Sequence, residues 1–226
     1  MCPRIVEIRQ KVLKKNDELA RRMRGRFVAE RRFTINLVSS PGSGKTALLE
    51  RTLAELQQAG HAVAALVGDL ETDHDARRLA RSGAPVKQIN THGCCHLEAE
   101  MVRRHLEDWD LPGCRFLFIE NVGNLVCTAS YDLGESLRVV LLCVTEGEDK
   151  PLKYPGLFNS ADVAVITKID LAAACEFDRD VAYANVHTVR PGMRIFETSS
   201  KSGQGIADWV RWLCERRQTW VDQADR

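Results

Sequence analysis

The sequence predicts an α/β fold, with a mostly parallel central sheet and helices on both faces. Three observations carry that prediction. The strand-like segments are apolar along their whole length rather than alternating, as strands buried on both faces must be. Helical patterns separate these segments. A Gly-rich turn, Ser39 to Thr46, joins the first strand to the helix after it, and sheets of this kind bind ligands outside the carboxyl ends of their strands.

The elements follow in order. Ile5, Ile8, Val12, Leu19 and Met23 fall at roughly helical spacing, so the stretch from about 1 to 32 reads as a helical extension docked on the rest. Phe33 to Val38 is the first strand. Thr46 to about Gln58 is a helix, ended by Gly60. Ala62 to Val67 is the second strand and stops at Gly68-Asp69. Asp73 to Arg81 is a short helix ended by Gly83, and Val86 to Ile89 is the third strand. His96 to Trp109 is amphipathic and helical. Cys114 to Ile119 is an apolar strand ending at Glu120, followed by strands Leu137 to Thr145 and Val163 to Thr167. Arg194 to Glu197 is a last short strand, and Ile206 to Trp220 closes with a helix. Repeats, low-complexity tracts and linkers are lacking, so residues 1–226 read as one domain.

Composition excludes several functions. Lys+Arg total 32 against 31 Asp+Glu, a formal net charge of +1, which gives no electrostatic case for nucleic acid or an anionic membrane as partner. Arg21, Arg22, Arg24, Arg26, Arg31 and Arg32 read as a solvated helix end. No stretch is apolar enough to span a bilayer, and Met1 to Gln10 lacks a signal-peptide apolar region, so a cytoplasmic location is expected. There the 8 cysteines are reduced, and each is a core residue or a metal ligand. Cys2, Cys114, Cys143, Cys175 and Cys214 read as packing.

The chemistry starts at the Gly-rich turn. Pro41, Gly42, Ser43, Gly44, Lys45, Thr46 and Ala47 make the anion site a nucleotide needs, a P-loop of the NTPase fold. Glycines let backbone N–H groups turn toward phosphate oxygens, and the helix N-terminus adds its positive end. Lys45 is placed for the β- and γ-phosphates and the Thr46 hydroxyl for Mg²⁺. Ser39 stands where the usual pattern has its first glycine. Asp69 and Glu120 end the second and fourth strands, and either can hold the magnesium shell or orient the attacking water. Thr167-Lys168-Ile169-Asp170 resembles the Asn-Lys-x-Asp box of GTPases, with Thr167 for Asn. An aspartate there accepts from two guanine donors that adenine lacks in that place, so Asp170 disfavours an ATPase. Ser200 and Lys201 lie in a run that resembles the loop backing guanine. Finally, Cys94-Cys95-His96 at a predicted helix start and Cys127 after the Glu120 strand offer thiolate and imidazole ligands for Zn²⁺ or Ni²⁺. They are too few for a closed four-coordinate site in one chain, but sufficient from two.

Those residues together resemble the hydrogenase nickel-incorporation GTPase family (HypB), dimer-activated P-loop metallochaperones. The resemblance runs from about Asn16 to Trp212 and rests on Ser39 to Thr46, Gly68-Asp69 with Thr72-Asp73 and Asp75-Ala76, Cys95-His96-Leu97, Glu120 to Cys127, Ser130 to Glu135 and Val144 to Pro155. It implies GTP hydrolysis to GDP with Mg²⁺, a homodimer favoured by GTP, and a Ni²⁺ or Zn²⁺ site at the dimer interface. By this resemblance Cys95, His96 and Cys127 are the metal ligands, with Cys94 adjacent. Lys45, Asp69, Asp75 and Glu120 are the catalytic set, Thr46, Asp69 and Glu120 surround magnesium, and Lys150 or Lys153 contacts nucleotide across the dimer. The implied partners are a HypA-type zinc metallochaperone and the apo-hydrogenase large subunit. The chain departs from the family in lacking a His-rich tract, in having only Cys2 ahead of the first helix, and in carrying Thr128 where a proline often follows the metal cysteine. The competing readings are a metallochaperone GTPase for another nickel enzyme such as urease, and a non-catalytic zinc-stabilised nucleotide-binding module.

Overall fold

The computed structural model describes residues 3–69 and 74–225, with side chains for 10–68 and 75–225. The chain opens with helix α1 (Pro3–Ala29), then strand β1 (Phe33–Val38), α2 (Lys45–Gln58), β2 (Val63–Asp69), α3 (His74–Ala80), β3 (Val86–Asn90) and α4 (Ala99–Glu107). It continues through β4 (Phe116–Glu120), β5 (Leu137–Cys143), α5 (Lys150–Lys153), α6 (Pro155–Ser160), β6 (Val163–Thr167), α7 (Arg179–Val189), β7 (Arg194–Glu197) and α8 (Ile206–Ala224). The seven strands form one sheet in the order β3-β2-β4-β1-β5-β6-β7. Every pairing is parallel, as strands joined by helical crossovers require.

Strands β1, β4, β5 and β6 are buried at every residue, so the sequence signal of continuous apolar runs reports a sheet covered on both faces. Phe33, Ile35, Leu37, Phe116 and Phe118 point to one face, against Leu49, Leu53, Trp209 and Leu213 of α2 and α8. The other face is covered in two parts. Ala20, Met23 and Phe27 of α1 pack with Val102 and Leu106 of α4 over Leu117 and Ile119. Leu157 and Phe158 of α6 pack with Ala182 and Val186 of α7 over Val140, Leu142 and Ile166. β1 lies between β4 and β5, so the chain reverses direction across the sheet there, and the Gly-rich turn leaves from that point.

Several expectations are corrected. α4 starts at Ala99 rather than His96. Consecutive positive φ angles at His92 (49°) and Gly93 (84°) break the chain before it, and the Leu97 and Ala99 N–H groups are taken by the Asn121 and Asn16 side chains at 3.1 and 2.9 Å. β5 stops at Cys143 and gives way to a 3₁₀ turn, Val144–Glu146. α7 was not legible because its buried face is thin, Ala182 and Val186. Its start is fixed instead by Asp178, whose carboxylate accepts from the Val181 N–H at 3.1 Å. α5 and α6 are short turns with Pro151 and Pro155 at their starts. The arginine cluster is not wholly solvated, since Arg24 pairs with Asp132 at 2.6 Å and Arg32 is buried. Cys175 is exposed rather than packed, while Cys114 and Cys143 are buried. Cys2 and Thr72-Asp73 lie outside the described residues, as does the Asp69 side chain. No described helix is long and apolar enough to cross a membrane.

Candidate functional site

Apart from Lys150 and Lys153 on α5, the residues singled out lie at or just beyond the carboxyl ends of β1, β2, β3, β4, β6 and β7. Gly44 has φ 91° at the head of α2, a conformation that a residue with a Cβ adopts at a cost. This lets the loop turn into the helix with its N–H groups facing inward. Lys45 is buried and donates to the Ser39 hydroxyl at 2.9 Å. Ser39 therefore has a use that glycine could not fill, since its side chain meets both the lysine and the Ser43 hydroxyl. Burial pulls the Lys45 ammonium below the ordinary lysine value, and Glu120, Asp75 and Glu146 pull the other way. Asp75 on α3 thus lies within electrostatic reach of the loop. The Thr46 hydroxyl donates to the Glu120 carboxylate at 2.7 Å, which joins two of the three groups expected around magnesium.

Two contacts at this end are visible only in the fold, although Glu146 and Gly123 both lie in stretches that carry the family resemblance. Glu146 accepts from the Ser40 hydroxyl at 2.5 Å and ties the loop to the turn after β5. Nothing in its spacing marks it. Gly123, beyond β4, runs so close to the loop that a Cβ there would stand 2.8 Å from the Pro41 Cα. The segment leaving Glu120 is therefore packed directly on the Gly-rich loop.

Thr167, Lys168 and Asp170 close the other side. The Thr167 hydroxyl donates to the Ser43 carbonyl at 2.6 Å, so threonine in the Asn position binds the loop directly. Lys168 has φ 57°, a left-handed conformation uncommon for a residue with a side chain. Its ammonium donates to the Gly42 carbonyl at 2.7 Å. Asp170 is exposed, and its carboxylate accepts from the Ser199 hydroxyl at 2.5 Å. The backbone of Thr198 stitches this segment to the next, donating to Ile166 at 2.8 Å and accepting from Ile169 at 3.1 Å. Ser200 is half-buried and Lys201 exposed beside it. Lys153 lies apart on α5, 62% exposed and paired with Asp149, and the Lys150 ammonium sits 5.5 Å from the Tyr154 ring centre.

Cys95, His96 and Cys127 come together: their ligand atoms all lie within 4.8 Å of one another. The Cys95 and Cys127 sulfurs are 2.8 Å apart, and the Cys95 sulfur is 3.7 Å from His96 Nδ1. Ligands around a tetrahedral ion of the zinc type stand roughly 3.5–4 Å apart, so a small opening of the thiol pair suits the cluster to a thiophilic divalent metal. His96 stacks on Tyr131 with ring centres 3.8 Å apart. Burial lowers its pKa below the ordinary imidazole value, with Glu98 opposing, which favours the neutral ring that a metal needs. Cys127 is aimed by an Asx turn: the Asn124 side chain accepts from the Val126 and Cys127 N–H groups at 2.7 and 2.8 Å. The Thr128 hydroxyl donates to the Asn124 carbonyl at 2.5 Å and clamps the same turn. Cys94 is exposed beside the cluster.

Residues 33–197 match the family model described as the CobW/HypB/UreG nucleotide-binding domain. The chain is 47% identical over 214 residues to the hydrogenase maturation factor HypB of Azotobacter chroococcum, covering 95% of this chain and 70% of that protein. It is 40% identical over 217 residues to the hydrogenase/urease maturation factor HypB of Helicobacter pylori, covering 94% of this chain and 88% of that protein. A crystal structure of HypB from Helicobacter pylori in complex with nickel is similar with a TM-score of 0.86 and 40% identity, over 92% of this chain and 97% of that one.

Proposed function

Because the chain belongs to the CobW/HypB/UreG family and is similar throughout to HypB hydrogenase maturation factors, we propose that it is a GTP-hydrolysing metallochaperone that carries nickel and assists its insertion into the apo-hydrogenase large subunit. The observation that supports this best is the path from Glu120 to Cys127. One short segment starts at a carboxylate bonded to Thr46, packs Gly123 on Pro41, and ends at a member of the three-residue cluster.

In this reading the Gly-rich loop binds the phosphates of GTP, and Lys45 takes up charge that develops on the γ-phosphoryl group. Thr46, Glu120 and Asp69 would hold Mg²⁺, which neutralises the β- and γ-oxygens when bound. Asp75, on α3, accepts a proton from the attacking water. Asp170 accepts from guanine, steadied by Ser199, while the stem of Lys168 lies along the base. Lys153, or Lys150, reaches nucleotide on a second copy. The metal is the cargo: GTP closes two chains into a homodimer, their Cys95, His96 and Cys127 sets hold Ni²⁺ or Zn²⁺, and hydrolysis loosens the loops and lets the ion go. A HypA-type zinc metallochaperone is the partner in the transfer, and the location is cytoplasmic. The similarity to a relative named for both hydrogenase and urease favours a second reading, in which apo-urease also receives the metal.

The test is Ni²⁺ stoichiometry and protomer mass in solution, with GDP and with a non-hydrolysable GTP analogue, for the wild type and Cys127→Ala. The expected result is dimerisation and tighter nickel with the analogue, and loss of the ion in Cys127→Ala. Metal binding that ignores both nucleotide and cysteine would overturn the proposal. Loading of purified apo-hydrogenase and apo-urease separates the two recipients.

A further inference from the structure

The Cys95–His96 segment, in irregular backbone, and Cys127, at the start of a 3₁₀ turn, are far apart in sequence, yet they meet. A chain of buried polar side chains beneath them explains how. Asn121, 1% exposed at the end of β4, accepts from the Leu97 N–H at 3.1 Å and from the Val122 N–H at 2.9 Å through one side-chain oxygen. Its amide donates to the Asn36 side chain at 3.4 Å, and its backbone N–H donates to Leu37 at 3.0 Å. Asn36, fully buried on β1, donates in turn to Glu135 at 3.1 Å. Glu135 is paired with Arg138 at 2.6 Å, and Arg138 donates to the carbonyls of Ala129 and Tyr131 at 3.3 and 2.8 Å. One end of the chain therefore grips the residue after His96. The other grips the turn that begins at Cys127 and the backbone of Tyr131, whose ring stacks on His96.

We propose that Asn121 is the positioning residue of the metal cluster, holding the ligand atoms of His96 and its neighbour Cys95 within 4.8 Å of Cys127 through the Leu97 N–H. This rests on the reading of Cys95, His96 and Cys127 as ligands. Polar groups buried in an apolar interior stay only where they are bonded. The alternative to this network is an orphaned Leu97 N–H and a ligand segment free to swing. Groups behind the ligands of a metal fix ligand orientation, and removing one costs roughly 10–100-fold in affinity. Asn121 also adjoins Glu120, whose carboxylate meets Thr46, so a shift at the strand end reaches both ligand segments through one side chain.

The experiment titrates the full chain, without nucleotide, with Ni²⁺, and with Co²⁺ to read the thiolate-to-metal charge-transfer and ligand-field bands. Wild type, Asn121→Ala and Asn121→Asp are compared, with circular dichroism to check the fold. Asn121→Ala is expected to lose about 10–100-fold in affinity, with a changed ligand-field spectrum. Asn121→Asp, which keeps the oxygen that accepts from Leu97 but gives up the donor to Asn36, is expected to bind more tightly than Asn121→Ala and to keep the wild-type spectrum. If Asn121→Ala does not fold, Asn121→Thr takes its place, since its hydroxyl is too short to reach Leu97, and the same loss is expected. A folded Ala or Thr variant with wild-type affinity and spectrum overturns the proposal, as does an Asp variant that loses as much as Ala. Failure of the wild type itself to bind either ion would instead overturn the ligand assignment.

Discussion

The Asp170 carboxylate accepts from Ser199 of a second loop and is held by it, as the proposed role in reading a nucleotide base requires. Under the proposed function, Asp170→Asn turns an acceptor pair into a donor and acceptor, matching xanthine better than guanine. Guanine nucleotide affinity should fall on the order of 100-fold or more, with xanthine nucleotides rising above guanine. Competition between GDP and XDP for a fluorescent analogue measures it, and unchanged preference for guanine refutes the base assignment. Gly123→Ala addresses the close approach at Pro41. Its Cβ would sit 2.8 Å from backbone that has no rotamer to yield, so either the Gly-rich loop or the Cys127 segment must move. A fall of at least about tenfold in nucleotide affinity is expected, as a misplaced backbone cradle loses several phosphate bonds at once. Wild-type affinity would show that the two segments slide freely. At this scale the sequence was legible in which residues gather, since Lys45 and Thr46 of the Gly-rich turn, Asp170, and the Cys-His pair with Cys127 all take part in contacts at the strand ends. It gave no role to Glu146, Asn36 and Asn121, whose contacts are with partners distant in sequence that only the folded chain brings near.

Among the elements, α1 shows how a docked extension is tied to the rest. Asn16 donates to the Asp132 carbonyl at 2.8 Å and accepts from the Ala99 N–H at 2.9 Å. Arg24 forms a two-pronged pair with Asp132. Asn16→Ala strands a buried N–H and carbonyl and should destabilise by about 1–3 kcal/mol, against under about 1 kcal/mol for Arg24→Ala, whose pair is partly exposed; denaturant unfolding measures both, and reversed magnitudes would refute this ordering. The pair also predicts an acid response. Burial acts to raise the Asp132 pKa, but Arg24 and the Gly134 N–H outweigh it and hold the carboxyl below its ordinary 3.8. A carboxyl depressed in the folded state contributes stability that is complete above pH 3.8 and is lost as pH falls through the folded value. Hydrogen exchange in α1 should therefore quicken as pH falls through that window, after correction for intrinsic rates, and Asp132→Asn should flatten the change. An identical acid response in the variant would assign it to other groups. The element pattern was legible for all seven strands: β1, β4, β5 and β6 run buried and apolar throughout, and the partly exposed edge strands β3 and β7 show as short runs between helical segments. It was weakest where helices start by other means: α4 at the Asn16 and Asn121 oxygens, α7 at the Asp178 cap.

Across the whole molecule, the sheet order puts β1 between β4 and β5, so the Gly-rich loop stands between the segment that leads to Cys127 and the turn that holds Glu146. Lys168 and Asp170 follow β6 on one side, and the cysteine–histidine cluster follows β3 and β4 on the other. Nucleotide and metal would then meet the same loop from opposite flanks, and thermodynamics ties their two affinities together. If a GTP analogue tightens Ni²⁺ relative to the nucleotide-free chain by some factor, Ni²⁺ must tighten the analogue by that same factor. Coupling of this kind typically amounts to about 5–150-fold. Titration of Ni²⁺ into analogue-bound protein, and of analogue into Ni²⁺-bound protein, each against its unliganded reference, should yield one number within that range. Where the coupling passes through closure of two chains, the factor must also depend on protomer concentration, vanishing where the dimer dissociates and reaching a plateau where it is complete. A factor that is large but independent of concentration would place the switch inside one protomer, along the Glu120–Cys127 segment and the Asn121 network alone, and the dimer would then serve only to complete the ligand set.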